Sequence, residues 1–211
     1  MLIYWLTLAV GAFLVLFVHE MGHLIVARWY GVRVVSFTIG LGPELFGFTD
    51  RVGTRWRLAV FPLGGSVGMW GEKRSNTKFN VTPESDVLAD KSIRQRTAIY
   101  LAGPIFSLLL GIVLVSALLL YYGEDGLESW KAIDTSVLVL LSGLSILIGV
   151  FNLLPLLPLD GGRVLLLGLE AYRAKPLSDD AQTLLSHIGV AMVILLSLGA
   201  VFEAAKVLSW V

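Results

Sequence analysis

Leu2 to Ala27 reads LIYWLTLAVGAFLVLFVHEMGHLIVA, an apolar run whose only acidic, basic or imidazole side chains are His19, Glu20 and His23. At about 1.5 Å per residue, a helix of this length exceeds the roughly 30 Å hydrocarbon thickness of a bilayer. His19 then lies about 25 Å from Leu2 along the axis, with Leu24-Ile25-Val26-Ala27 still ahead of the first cation, Arg28. Ionisable groups at such depth are costly and mark function. Residues i and i+4 share a helix face, so the imidazoles of His19 and His23 can reach one ion. Glu20 sits beside them, where it can take a proton from a metal-activated water. A secretory leader also opens with an apolar run, but it carries a positive n-region and a small-residue cleavage site. No Lys or Arg precedes Arg28 here, so the run is expected to be a mature membrane span.

Composition agrees with a bilayer as solvent. Of 211 residues, 56% are hydrophobic and 15% charged, against roughly 25% charged in soluble domains. Mean hydropathy is +0.80. The formal net charge of zero provides no electrostatic reason for a nucleic-acid partner. Cys is absent, which excludes disulfides and thiolate metal sites, so any metal must be held by His, Asp or Glu.

Working outward, four stretches are long and apolar enough to span: about 2–27, 97–122, 135–157 and 184–205. Residues 28–96 and 163–183 hold fourteen of the sixteen Lys and Arg. The positive-inside rule then puts those segments in the cytoplasm and both termini outside. The site would open towards the cytoplasmic side of a multi-pass protein of a cell membrane. The expected fold is mainly α: a single domain over 1–211 with four transmembrane helices.

The first cytoplasmic segment carries a small membrane-associated β-structure over about 30–71. Val32 to Ile39 and Arg55 to Phe61 approach the period-2 alternation of strands, and Ser66 to Trp70 follows Gly64-Gly65. Glu72 to Asp90 reads as a polar loop, and Asp86 to Arg96 as a short interfacial helix leading into the second span. Trp5, Trp29, Tyr121, Tyr122, Trp130 and Trp210 near span ends fit an interfacial belt.

Two imidazoles need a third protein ligand. Asp160 is the only carboxylate between Asp134 and Glu170, in an apolar run broken by Pro155 and Pro158 and followed by Gly161-Gly162. The prolines interrupt a helix, and the glycines permit an unusual backbone path behind the carboxylate. Asp160 could instead N-cap a helix running from Arg163 to Ala174. His187 reads as a helix-end residue. A membrane metal transporter would also place His and Asp at such depth, although it should show a path of sites and inverted repeats. A catalytically silent protein that binds clients is a further alternative.

Taken together, these residues resemble the site-2 protease family of intramembrane zinc metalloproteases. The resemblance rests on His19-Glu20-Met21-Gly22-His23, Gly31-Val32-Arg33-Val34, Gly40-Leu41-Gly42, Pro62-Leu63-Gly64-Gly65, Ala102-Gly103-Pro104 and Leu159-Asp160-Gly161-Gly162. It is nearest to the bacterial branch that cleaves anti-sigma factors in envelope stress. The resemblance implies Zn2+ on His19, His23 and Asp160, with Glu20 as general base. It implies that Asn152 positions the substrate backbone and that Gly64, Gly65, Ser66 and Val67 pair with an unwound substrate, with Gly40 and Gly42 close to the cleft. The implied substrate is a single-pass membrane protein met in the lipid bilayer, cut after an upstream site-1-type protease or under a gating protein. That branch carries PDZ domains between its second and third spans. Here Gly123 to Asp134 is about a dozen residues, too short for one.

Overall fold

A computed structural model describes residues 2–71, 86–122, 133–175 and 177–209. Most of the expected polar loop at 72–90 and most of the short external segment at 123–134 lie outside the described residues. The chain packs as two compact units, Met1–Asn152 and Leu153–Val211.

In the first unit, α1 (Leu2–Trp29) is followed by two long strands, β1 (Val34–Thr49) and β2 (Arg55–Met69), then by α2 (Ile93–Tyr122) and α3 (Ile133–Asn152). Helix α1 ends at a glycine in the left-handed region, Gly31 at φ +67°, where the Val32 N–H returns to the Ala27 carbonyl at 2.9 Å. Helix α2 opens on a reciprocal cap: the Ser92 hydroxyl accepts from Gln95 N–H, and Gln95 Oε1 accepts from Ser92 N–H. The Asp86 to Arg96 segment is therefore not one interfacial helix. It holds a 3₁₀ turn at Leu88–Asp90 and then the capped start of α2.

The three helices meet through small residues. A Cβ built on Gly22 of α1 would fall 2.6 Å from the Ala102 carbonyl of α2, and one on Gly149 of α3 would fall 3.0 Å from the Pro104 carbonyl. Side-chain-free positions thus let backbones come close, as they do in membrane bundles.

Both strands bend, so the sheet has more rows than strands. Gly65 to Met69 pairs antiparallel with Val34 to Ile39, and Ser36 to Ile39 is flanked on its other side by Arg55 to Leu58, running in the same direction. Arg55 to Leu58 then pairs with Phe46 to Thr49 across the hairpin. Glycines at Gly40 (φ +93°), Gly42 (φ +95°) and Gly64 (φ +77°) supply backbone conformations that side chains resist, and they sit within the strands rather than in loops. The strands are consequently longer than the alternation pattern predicts. Phe37, 1% exposed, seats the sheet on α1 through Phe17 (ring centroids 5.5 Å apart) and stacks near Trp56 at 4.6 Å.

The second unit contains α4 (Asp160–Arg173) and α5 (Asp179–Ser209). Helix α3 stops at Asn152, five residues short of the expected span end at 157. The Leu153–Leu159 segment instead makes tight turns, with Leu156 N–H bonded to the Leu154 carbonyl and Leu159 N–H to the Leu156 carbonyl, both at 2.8 Å. Gly161 and Gly162 are helical, not left-handed. Their role is space: a Cβ on Gly162 would meet the Leu156–Leu157 backbone within 2.6 Å. The glycine pair lets the proline-rich turn fold over the start of α4.

Two helices, Trp5–Trp29 and Ile93–Tyr121, meet the length and hydropathy of a membrane crossing among the described residues, at mean hydropathies of 1.8 and 2.5. The apolar parts of α3 and α5, Val137–Asn152 and Asp180–Leu196, are shorter. Mainly helical architecture with a small sheet is therefore observed, with two of the four expected spans meeting that measure among the described residues.

Candidate metal centre

Helix α1 presents His19, Glu20 and His23 at 5%, 6% and 5% exposure. The two imidazoles stand side by side, ring centroids 5.1 Å apart and planes at 78°. A ligand nitrogen on each lies within 4.8 Å of the other. Two nitrogens on one tetrahedral zinc stand roughly 3.4 Å apart, a separation that lies inside this bound.

Each ring is held by its Nδ1. His23 Nδ1 is 2.8 Å from the Ile99 carbonyl, which can only accept, so this nitrogen carries the proton. His19 Nδ1 is 2.9 Å from the Ser107 hydroxyl. The Ile99 contact leaves Nε2 of His23 as the metal-facing nitrogen, and the Ser107 hydroxyl does the same for His19 when it accepts from Nδ1–H. Ile99, Gly103 and Ser107 recur at four-residue spacing along α2, one stripe facing the two histidines of antiparallel α1. A Cβ on Gly103 would occupy the place of His23 Nε2. Two imidazoles on one helix face, with the proton of His23 placed on Nδ1, are donors that fit zinc.

Glu20 meets the sheet. A Cβ on Gly65 would fall 2.7 Å from Glu20 Cγ and 2.8 Å from Oε1. Gly65 begins the row Gly65–Met69, which among the described residues has a registered strand partner only on its β1 side. An edge row therefore starts at the carboxylate.

The other expected site residues fall as follows. Ser66 and Val67 lie in that row, opposite Thr38 and Phe37. Gly64 precedes it. Gly40 packs under the Phe61 carbonyl and Gly42 beside the Phe61 ring. Asn152 is the last residue of α3, and its amide donates to the Ile148 carbonyl at 2.9 Å within its own helix. Asp160 is the first residue of α4 in the second unit. It does not N-cap a helix starting at Arg163: the helix begins at Asp160 itself, and the cap position is Leu159. His187 lies within α5.

Sequence reasoning missed Ser107 and the Ile99 carbonyl. A polar residue four positions after Gly103, alone in the apolar run from Leu101 to Val115, is the signal that could have found Ser107.

This motif and architecture define a metallopeptidase core. The chain belongs to Peptidase family M50, whose profile matches residues 7–132 and 127–196. It is similar to proteins carrying the provisional name of zinc metalloprotease. One from Mesorhizobium japonicum is 44% identical over 119 residues, covering 52% of this chain and 32% of that protein. One from Agrobacterium fabrum is 41% identical over 53% of this chain and 32% of that protein. One from Thermotoga maritima is 39% identical over 58% of this chain and 23% of that protein. The chain spans about a third or less of the length of these relatives. A solved structure, the site-2 protease from Methanocaldococcus jannaschii, shares the fold at a TM-score of 0.55 and 23% identity, over 96% of this chain and 71% of that one.

Proposed function

We propose that this chain is the catalytic core of a zinc-dependent intramembrane endopeptidase that cleaves single-pass membrane proteins within or near the bilayer. The observation that carries the reading is the join of two features at one point of α1. Paired imidazoles, each held through its Nδ1 by α2, lie next to Glu20, and the Glu20 carboxylate abuts an edge row of the sheet. Zinc on His19, His23 and Asp160 would polarise the scissile carbonyl and acidify a water. Glu20 takes the water's proton and passes it to the leaving amine. The Gly65–Met69 edge supplies main-chain partners to an unwound substrate, because a peptide in a helix hides the carbonyl that must be attacked. Asn152 gives up its bond to Ile148 and holds the substrate backbone near the site.

In this reading the protein is a multi-pass resident of a bacterial inner membrane with four spans, both termini outside and the site open to the cytoplasmic side. An upstream protease that shortens the substrate, or a separate gating protein, would control access.

The test is purification in detergent, determination of zinc per chain, and cleavage of a model transmembrane substrate by wild type and Glu20→Gln. Near-stoichiometric zinc in both with cleavage only by wild type supports the reading. Undiminished cleavage by Glu20→Gln overturns the mechanism. Zinc bound without cleavage of any membrane substrate favours a client-binding protein.

A further inference from the structure

We infer that Ser107 and Ser145 are positioning residues of the metal centre, two buried hydroxyls of which one ties His19 to α2 and the other ties α2 to α3 at the same residue. This rests on the reading that His19 and His23 hold zinc.

Ser107 and Ser145 are both fully buried, at 0% exposure, in helices that are otherwise apolar at this level. A buried hydroxyl without a partner costs about 1–3 kcal/mol, and a helical serine commonly avoids that cost by bonding back to its own helix. Ser142 of α3 does this, donating to the Val139 carbonyl at 2.9 Å. Ser107 and Ser145 instead bond across helices. The Ser107 hydroxyl meets His19 Nδ1 at 2.9 Å, joining α2 to α1. The Ser145 hydroxyl donates to the Ser107 backbone carbonyl at 2.7 Å, joining α3 to the same residue. One residue therefore receives the imidazole through its side chain and the third helix through its backbone.

The geometry makes the two ligands unequal. His23 is oriented by a main-chain carbonyl, which no substitution at Ile99 removes. The Nδ1 of His19 is instead met by a side chain, the Ser107 hydroxyl. When Ser107 Oγ accepts from Nδ1–H, Nε2 is left with its lone pair, the state a metal requires. Without that acceptor the ring can turn or take the other tautomer. Ser145 prevents α2 from sliding relative to α3 and so keeps Ser107 at His19 height.

The experiment uses the whole chain in detergent, stripped of metal. It measures zinc affinity by competition with a chromophoric chelator, and the visible spectrum of the Co2+ form. Ser107→Ala should weaken zinc by about 10–100-fold and alter the cobalt spectrum. Ser107→Thr, which keeps the hydroxyl, should restore both. Ser145→Ala should show a smaller loss in the same direction, and Ser142→Ala should bind as wild type. Should Ser107→Ala fail to fold, Ser107→Val, which matches the threonine variant in shape and lacks the hydroxyl, carries the same expectation. Wild-type affinity and spectrum in the Ala or Val variant overturn the inference. So does an equal loss in Ser142→Ala, or a Thr variant as weak as Ala. Failure of wild type to bind zinc is a different result, and it overturns the metal reading itself.

Discussion

Gly65 of β2 lies against Glu20 of α1 so closely that a methyl group in place of its hydrogen would fall 2.8 Å from the carboxylate oxygen. The sheet therefore reaches the proposed base itself. Glycine is required here for room, since Gly65 has no left-handed φ to satisfy, unlike its neighbour Gly64 at +77°. Gly65→Ala should displace the carboxylate without touching either imidazole. A displacement on the order of 1 Å can cost about 100-fold in rate. The expected outcome is a fall of that size in kcat with zinc content unchanged. An Ala variant that cleaves at wild-type rate would show that the contact yields without moving Glu20.

Gly103 makes a separate prediction at the ligand. Alanine there would favour the helix by about 1 kcal/mol in intrinsic propensity. Its Cβ would nevertheless occupy the space of His23 Nε2. Propensity and metal binding should move apart: Gly103→Ala is expected to lose at least about 10-fold in zinc affinity. Thermal unfolding of the metal-free protein, recorded beside the affinity, distinguishes this from general destabilisation. Equal zinc affinity in the two proteins would rule the contact out as a constraint on His23.

The motif on α1 was legible because i and i+4 geometry is local. His19, Glu20 and His23 need no tertiary knowledge to be placed on one face. Ser107 was not legible in that way, because its partner is 88 positions away. Hydrophobicity failed at the end of α3 for a related reason. Leu153 to Leu159 is as apolar as the helix before it, so only the prolines and the close approach of Gly161-Gly162 reveal tight turns there. The strands ran past their alternating segments because left-handed glycines at 40, 42 and 64 bend the backbone while pairing continues.

Asp50 ties the hairpin turn to the end of α1, and its protonation should loosen that tie. Its carboxylate accepts from Trp56 Nε1 at 3.0 Å, Arg28 at 2.9 Å, and the Thr54 and Val52 amides at 2.9 Å. These donors, led by Trp56 and the Thr54 amide, hold its pKa well below the ordinary carboxylate range. A depressed folded pKa contributes stability that is present above the unfolded value near 3.9 and lost as pH falls through the folded one. Trp56 fluorescence should therefore stay constant down to about pH 4 and change only below it. Asp50→Asn should show altered fluorescence already at neutral pH and no such acid transition. A variant with the same acid transition would assign it to another group.

Asn152 closes α3 with a bond to the Ile148 carbonyl, which its amide can exchange for a substrate backbone group at little cost at a helix end. If it binds substrate equally in ground and transition states, Asn152→Ala should raise KM with kcat nearly unchanged. Loss of one hydrogen bond worth about 1 kcal/mol corresponds to roughly a fivefold rise. Asn152→Gln, longer by one methylene, should not restore the wild-type KM if the amide must sit at the helix terminus. A fall in kcat at constant KM would instead mean that the amide meets the reacting carbonyl only as charge develops on it. An unchanged kcat/KM in Asn152→Ala would remove Asn152 from substrate recognition and leave it as a helix-terminal cap.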